Sequence, residues 1–195
     1  MKPAILILAA GASSRMRGGD KLLEVVDGVP QLARSVQAAL ATGARVLVAL
    51  PPDRPARSEA LAGFPVDLFI VPDAAEGMAA SIRAGVARAD GAAGLMMLPA
   101  DMPELQADDL AAVIAGFDSA PDRIWRGAAM DGRAGHPVIF PAQDFAELAT
   151  LRGDAGARAV LQANAARINL IALPDQRALI DLDTPEDWAA WRKAR

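Results

Sequence analysis

Short apolar runs recur along the chain, and each is bounded by turn residues such as glycine and proline. Runs of about four to eight apolar residues with such boundaries are typical of buried β-strands. The pattern predicts strands at residues 4–8, 45–50, 67–71, 94–98, 124–130, 136–140, 168–173 and 178–182.

Between these runs, apolar residues recur at helical spacing. In residues 30–42, for example, Leu32, Val36 and Ala39 fall on one side, and Gly43 follows the last turn as a typical helix end. Further helices are predicted over residues 77–89, 107–117, 141–148, 154–163 and 185–193.

The alternation of strands and helices predicts an α/β fold. We expect three α/β/α layers around a mostly parallel, Rossmann-like sheet. The turn "DGRAG" at residues 131–135 lies between two predicted strands and indicates a small inserted hairpin. No internal repeat, low-complexity segment or linker interrupts the pattern, so residues 1–195 are predicted to form a single domain.

Composition narrows the range of possible functions. The net charge is -4, which disfavours a broad nucleic-acid-binding face. The chain has no cysteine and one histidine, His136, so thiolate chemistry is excluded and a histidine-rich zinc site is disfavoured. A metal ion would therefore be a hard cation on carboxylates, such as Mg²⁺.

The apolar run after Lys2 is short for a signal peptide, and it fits better as the first buried strand. No apolar stretch reaches the roughly 20 residues that a membrane-spanning helix needs. The sequence therefore predicts a cytoplasmic protein without a membrane partner.

The loop after the first strand, residues 11–21, combines glycines, serines and cations in a chain that is acidic overall. Glycines let backbone N–H groups turn toward an anion, and Arg15, Arg17 and Lys21 add positive charge. The loop lacks both G-x-x-x-x-G-K-[ST] and G-x-G-x-x-G, which disfavours an ATPase P-loop and an NAD(P)-linked oxidoreductase. The two remaining interpretations are a polyphosphate cradle and a long solvated loop.

Aspartates follow two of the predicted strands. Asp101, in "LMMLPADMP", is placed to hold Mg²⁺ at the sheet edge, or else it caps the following turn. In "LIDLDTPEDW", Thr184 is a good N-cap for the last helix, which leaves Asp181 and Asp183 unexplained. On a strand these two side chains would point to opposite faces, so only one is expected to face the site.

Two further segments contain candidate residues. In "PDAAEGMAASIRAG", small residues would let a nucleoside approach a helix start, or would simply pack the helix closely, and Ser81 could bond a base edge. His136, in "GRAGHPVIF", is a candidate acceptor contact or a structural histidine.

"LAAGASSRM", with "DK" beginning five residues after Arg15, resembles the signature L-A-[AG]-G-x-S-x-R-M-G-x-x-K. That signature is typical of MobA/MocA-like nucleotidyltransferases, which attach a nucleoside monophosphate to the molybdenum-pterin cofactor. The resemblance covers nearly the whole chain and is closest to the cytidylyltransferase branch. The usual pattern has glycine directly after methionine, where this chain has Arg17, so Arg17 either contacts phosphate or faces water.

The resemblance implies a role for each candidate residue. Arg15, Lys21 and Asp101 would be catalytic, Asp101 and Asp183 would hold Mg²⁺, and His136 and Arg158 would contact the acceptor. The implied nucleotide-binding residues are Leu8, Ala9, Ala10, Gly11, Ser13, Ser14, Arg15, Lys21, Gly77 and Ser81.

The implied reaction transfers a nucleoside monophosphate from an NTP to a phosphate-bearing acceptor, the molybdenum-pterin cofactor, and releases pyrophosphate. Ala9-Ala10-Gly11 favours CTP, since the guanylyltransferases carry Ala-Gly-Gly there. A transient contact with a molybdenum enzyme or its chaperone is also implied. Two alternatives remain open: a sugar- or polyol-phosphate nucleotidyltransferase, and a non-catalytic chaperone that binds a nucleotide or cofactor.

Overall fold

The computed structural model describes residues 2–195, and that range contains nine β-strands and seven α-helices. The strands are β1 (Ala4–Leu8), β2 (Val25–Val26), β3 (Val29–Pro30), β4 (Val46–Leu50), β5 (Asp67–Ile70), β6 (Gly94–Pro99), β7 (Ile124–Ala128), β8 (Ala134–Pro141) and β9 (Ile168–Ala172). The helices are α1 (Gln31–Ala41), α2 (Pro55–Glu59), α3 (Met78–Arg88), α4 (Ala107–Ser119), α5 (Phe145–Leu148), α6 (Arg158–Ala163) and α7 (Pro185–Ala194).

Seven strands form one central sheet in the order β5-β4-β1-β6-β8-β7-β9. Every pairing is parallel except the two made by β8, which is antiparallel to both β6 and β7. The short strands β2 and β3 pair separately as a small antiparallel ribbon. The predicted α/β fold with a mostly parallel sheet is confirmed, and the β7–β8 hairpin is part of the central sheet.

Helices cover both faces of the sheet, because its strands are apolar on both sides. Ile5 and Ile7 of β1 belong to the core cluster that includes residues of α1 and α4. Leu6 points to the opposite face, toward α3. At that contact a Cβ added to Gly85 would lie 2.3 Å from Leu6 Cδ2, so only glycine lets α3 approach β1 so closely. These three layers hold the carboxyl ends of the parallel strands at one edge.

The predicted strand at residues 178–182 is wrong. Its backbone makes single hydrogen bonds to two different neighbours: the Ala178 carbonyl accepts from His136 N at 2.9 Å, and Leu182 N donates to the Asp101 carbonyl at 3.1 Å. The start of the segment is a turn, in which Leu179 N donates to the Gln176 carbonyl. The alternating apolar residues of this segment are therefore buried although its backbone is irregular and pairs with no β-strand.

Shorter differences appear elsewhere. The segment 141–148 forms a 3-10 turn followed by α5, and α6 begins four residues later than predicted, at Arg158. The ribbon β2–β3 and the short helix α2 were not predicted. The predicted cap of α7 is confirmed, since Asp187 N donates to Thr184 Oγ1 and Thr184 N donates to Asp187 Oδ2. No helix within residues 2–195 combines the length and apolar character needed to cross a bilayer.

Candidate active site

Three cavities adjoin at the sheet edge where the parallel strands end. The first, about 440 Å³, lies between the ends of β1 and β6, where the order of strands along the sheet reverses direction. Open α/β sheets bind ligands at such a point. The sequence-predicted residues that line this first cavity are Leu8, Ala10, Gly11, Lys21, Gly77, Ser81 and Asp101.

The glycine-rich loop at this cavity is held from behind by Arg57 of α2, whose side chain is fully buried. Its guanidinium makes five hydrogen bonds of 2.6 to 2.9 Å, to the carbonyls of Ala9 and Gly11, to Ser13 Oγ and to both oxygens of Asp20. Burial raises the pKa of Asp20, but the Arg57 hydrogen bonds and charge outweigh it, so the pKa lies below its usual value. Arg57 thus fixes both ends of the loop.

As a result, two of the predicted nucleotide-binding residues make hydrogen bonds within the protein itself. Ala9 is fully buried with its carbonyl on Arg57, and the Ser13 hydroxyl bonds Arg57 and Asp20. Neither side chain lines the first cavity. Ser14 and Arg15 are exposed on the short 3-10 turn that follows.

Lys21 lies between the two predicted metal-binding carboxylates. Its Nζ is 2.5 Å from Asp101 Oδ2 and 2.6 Å from Asp183 Oδ1, and all three side chains are less than a fifth exposed. Burial of the amine lowers the pKa of Lys21, but the two carboxylates outweigh this effect and raise the pKa above its ordinary value. Asp101 and Asp183 are 80 and 162 positions from Lys21 in the sequence, and the fold brings both carboxylates to its amine.

This arrangement fits a divalent cation. Two carboxylate oxygens converge on one point, and Mg²⁺ is commonly held by one or two carboxylates together with substrate phosphates. Within residues 2–195 no group of three or more acidic or histidine side chains could hold a metal unaided. Asp101 and Asp183 would therefore need phosphate oxygens or water to complete the coordination.

The two loop arginines have different partners. Arg15 forms an ion pair with the other oxygen of Asp183, at 2.7 Å, whereas Arg17 pairs with Glu186 on α7 at 2.6 Å. Arg17 has a φ of 51°, in the left-handed region where glycine is favoured. The family signature has glycine at this position, a residue that suits such a backbone.

Gly77, which lines the first cavity as predicted for a nucleotide contact, also has a structural role at the start of α3. Its φ is 117°, and a Cβ there would lie 2.8 Å from the backbone of Gly153 and Asp154. Asp154 Oδ1 accepts from Met78 N, and the Gly153 carbonyl accepts from Ala79 N. The start of α3 is thus capped by a neighbouring loop, and the glycine makes room for that loop.

The predicted acceptor residues lie around the other two cavities. His136 and Arg158 line the second cavity, of about 710 Å³, and His136 also lines the third, of about 330 Å³, together with Asp101. Burial, with the nearby charge of Arg126, lowers the pKa of His136 to about 4, so the imidazole is neutral at pH 7. Arg158 is exposed at the first turn of α6.

Asp181 and Asp183 do not lie on a strand, so the expected alternation does not decide between them. Asp183 contacts Lys21 and Arg15, whereas Asp181 is exposed and lines the third cavity. Partial burial of the Asp181 carboxyl group, with the charges of Asp101 and Asp183, raises its pKa. The geometry thus brings Asp183, and not Asp181, to Asp101 through Lys21.

Sequence reasoning missed four residues at this site: Arg57, Met78, Arg126 and Asp154. Met78 lines all three cavities, Asp154 lines the first two, and Arg126 lines the last two. Met78 lies in the small-residue segment that the sequence did single out, and Asp154 lies in "GDAGAR". Arg57 and Arg126 carry no local signal, since only the tertiary fold buries them.

Comparison with known proteins agrees with this geometry. The profile of the MobA-like NTP transferase domain matches residues 5–168. A molybdenum cofactor guanylyltransferase of Burkholderia vietnamiensis is 34% identical over 152 residues, which cover 76% of this chain and 71% of the relative. The purine catabolism protein PucB of Bacillus subtilis is 32% identical over 130 residues, 65% of this chain, and the match spans only 62% of PucB.

Among solved structures, Rv0371c of Mycobacterium tuberculosis is 28% identical and superimposes with a TM-score of 0.86 over 99% of both chains. The fold, the converging loop and carboxylates, and the profile match over most of the chain lead to one assignment. The chain belongs to the MobA-like NTP transferase domain family of nucleotidyltransferases.

Proposed function

We propose that this protein transfers a nucleoside monophosphate, CMP being favoured, from an NTP to the phosphate group of the molybdenum-pterin cofactor. An oxygen of the acceptor phosphate attacks the α-phosphorus of the nucleotide and forms the new P–O bond. The bond between the α-phosphorus and its bridging oxygen breaks, and pyrophosphate leaves. The attacking phosphate is already ionised near neutral pH, so the reaction requires no general base.

The observation that carries this proposal is the position of Lys21. A buried amine held by two carboxylates, at the mouth of a cavity beside a glycine-rich loop, provides both a cation for phosphate and a pair of hard oxygen donors. Phosphoryl-type transfer depends on positioning and charge stabilisation more than on covalent chemistry by the protein. This combination supports the proposed reaction.

Each residue of the cluster has a proposed task. Lys21 and Arg15 bind the triphosphate and stabilise negative charge on the α-phosphate and on the leaving pyrophosphate. Asp101 and Asp183 hold Mg²⁺, which supplies charge neutralisation to the reacting phosphates when bound. Because Lys21 is paired with both carboxylates, its amine becomes available to phosphate once those carboxylates have another cation.

The choice of nucleotide rests on Ala10. Ala10 is buried and lines the first cavity, so its methyl group takes space that a glycine would leave to the base. A smaller pocket favours a pyrimidine over a purine, and hence CTP over GTP. The molybdenum-cofactor acceptor is supported by the similarity to the Burkholderia guanylyltransferase, and we propose a transient contact with a molybdenum enzyme or its chaperone for product delivery.

The test is pyrophosphate release from each of the four NTPs, with Mg²⁺, in the presence and absence of the molybdenum-pterin cofactor. We expect release with CTP and the cofactor together and little with either alone. Release with a sugar phosphate or a polyol phosphate in place of the cofactor would assign a different acceptor. Tight CTP binding without release under any condition would contradict catalysis and favour a binding chaperone.

A further inference from the structure

Arg126 of β7 is a half-buried cation without a counter-ion. Its Nε and Nη2 both donate to the Gly135 carbonyl at 3.2 Å, and Nη1 has no hydrogen-bond partner within residues 2–195. No carboxylate oxygen in that range lies within 4.0 Å of the guanidinium. Burial alone lowers the pKa of Arg126, with no acidic group to oppose it. A charge withdrawn from water in this way is costly unless it is paired.

Several other buried or partly buried arginines show what is missing. Arg57 pairs with Asp20, Arg167 with Asp144 and Arg177 with Asp109. Arg123 is also partly buried without a carboxylate, but it donates to the Ala166 carbonyl and lines none of the three cavities. Arg126 alone in this comparison combines a missing anion with a cavity.

Arg126 stands on the wall between the second and third cavities. The third cavity also contains Asp101, so a group held by Arg126 on that side lies beside the proposed metal-binding carboxylate. The second cavity is lined largely by apolar side chains, among them Ile82, Val138 and Phe140. The wall therefore separates a charged compartment near the reaction centre from an apolar compartment large enough for a ring system.

The neighbouring polar groups are consistent with an anionic occupant. His136, which lines both cavities, is neutral at pH 7, and its Nδ1 is buried without a hydrogen-bond partner. Arg158 adds a second cation to the second cavity. On the other side, Asp101 and Asp181 are acidic, so an anion is favoured on the Arg126 side of the third cavity.

We propose that Arg126 is the residue that binds the phosphate monoester of the acceptor, with the flat ring system of the acceptor in the second cavity. This inference rests on the proposed function, since it names a residue that selects the acceptor. A guanidinium has five N–H donors in a planar fork that matches phosphate oxygens, and most of them remain free here. Bound phosphate would supply the missing counter-ion and would lie beside Asp101.

The experiment uses phenyl phosphate as the probe and phenol as its uncharged counterpart. Binding is followed by NMR through the imidazole of His136, whose resonance needs no assignment because it is the only histidine. Isothermal titration gives the affinity. The variants are Arg126→Gln, which keeps a side-chain donor for Gly135 but loses the charge, Arg126→Lys, and the matched control Arg123→Gln.

We expect phenyl phosphate to shift the His136 resonance of the unmodified protein, and phenol to leave it unchanged. Arg126→Gln should weaken phenyl phosphate binding at least about tenfold, the usual size for loss of a charge-assisted contact. Arg126→Lys should retain part of the affinity, and Arg123→Gln should bind within about twofold of the unmodified protein. Affinity for α,β-methylene-CTP should stay within about twofold in every variant, since Arg126 does not line the first cavity.

Equal phenyl phosphate affinity in the protein and in Arg126→Gln would overturn the inference, as would an equal loss in Arg123→Gln. If Arg126→Gln lowers the melting temperature, Arg126→Lys decides: a lysine variant of normal stability that binds no better than Arg126→Gln assigns Arg126 a merely structural role at Gly135. These outcomes do not depend on turnover. Failure of the pyrophosphate assay with intact anion binding would reject the proposed reaction and leave the anion site in place.

Discussion

Lys21, Asp101 and Asp183 form a cluster in which no charge is without a partner. The carboxylates neutralise the buried amine, and the amine keeps the carboxylates close together. Replacing one member therefore changes both the proposed phosphate grip and the proposed metal site. The effect on turnover should exceed the effect on folding, since the cluster lies at a cavity and not in the apolar core.

We expect Lys21→Ala and Asp101→Asn each to lower the rate of pyrophosphate release by at least about 100-fold, as for loss of a single charge-stabilising group. Circular dichroism should show an unchanged fold. The matched control is Arg17→Gly, which removes a loop cation paired with Glu186 but suits the left-handed backbone. Near-normal rates in Lys21→Ala or Asp101→Asn would contradict the assigned site.

Ala10→Gly tests the nucleotide preference. Because Ala10 lines the first cavity, we expect removal of its methyl group to enlarge the space for a base. We expect the ratio of kcat/KM for CTP over GTP to fall, and one methyl group limits the change to roughly tenfold to 200-fold. An unchanged ratio would show that Ala10 does not select the base.

At the residue scale, the sequence predicts those site residues that lie in short, recognisable motifs. Arg15, Lys21, Asp101 and Asp183 occur in recognisable segments, and the structure brings all four together. Arg126 could not be found in this way, because an arginine in a predicted strand looks like an ordinary solvent-facing residue. Only the burial of its guanidinium and the missing carboxylate distinguish it.

At the element scale, the reversed direction of β8 determines what reaches the site. The parallel strands bring their carboxyl ends to this edge, whereas β8 brings its amino end, with His136 near its start. The motif "DGRAG" predicts the hairpin turn, but nothing in the sequence predicts that β8 pairs with β6. Residues 178–182 were misread because an irregular segment can bury alternating residues as a strand does.

The short helix α2 supports the glycine-rich loop through Arg57. We expect Arg57→Met to lower the free energy of unfolding by about 3 kcal/mol, since it leaves the partly buried Asp20 carboxylate with only the more distant cation of Arg54, at 4.0 Å. The double variant with Asp20→Asn should lose less than the sum of the two single changes. Denaturant unfolding measures these values.

The same substitution should raise KM for the nucleotide, because Arg57 fixes the loop through the Ala9 and Gly11 carbonyls. Arg54→Met is the matched control: Arg54 is only partly buried, makes one hydrogen bond of 2.7 Å to the Ala12 carbonyl and lies at 4.0 Å from Asp20, against 2.7 Å for Arg57. We expect little change in stability or KM for it. Equal effects of the two substitutions would show that Arg57 has no special role in the loop.

At the scale of the whole molecule, stability should depend on pH through His136. Its pKa is 6.5 when unperturbed and about 4 in the folded protein. Above pH 6.5 both states hold a neutral imidazole. As the pH falls from 6.5 to 4, the unfolded state takes up a proton that the folded state does not, and the free energy of unfolding drops by about 3 kcal/mol.

Denaturant unfolding at pH 7, 6, 5 and 4 measures this drop, and His136→Gln should show a smaller one. The raised pKa of Asp181 acts in the opposite direction, and the difference between protein and variant removes its contribution. NMR titration of the sole histidine gives its folded pKa directly. A value near 6.5 would reject the buried neutral imidazole.

The fold as a whole followed from the hydrophobic pattern more fully than the site did. Runs of apolar residues fix where strands and helices form and which layers they build, since burial on both faces demands such runs. The cavities instead depend on where separate loops approach each other, as Gly77 and the Gly153–Asp154 backbone do. Close contacts between distant loops produce no periodic pattern of residues, so the sequence does not predict them.

The cluster at the glycine-rich loop is electrically neutral at rest: Arg15 and Lys21 cancel Asp101 and Asp183. A neutral cluster in a chain of net charge -4 exerts no long-range pull on a nucleotide. Capture is therefore governed by short-range fit and by exchange of ion partners inside the cavity. Because the chain as a whole and the nucleotide are both negatively charged, added salt should not slow capture and should modestly speed it by screening their repulsion, the reverse of enzymes that attract their substrates electrostatically.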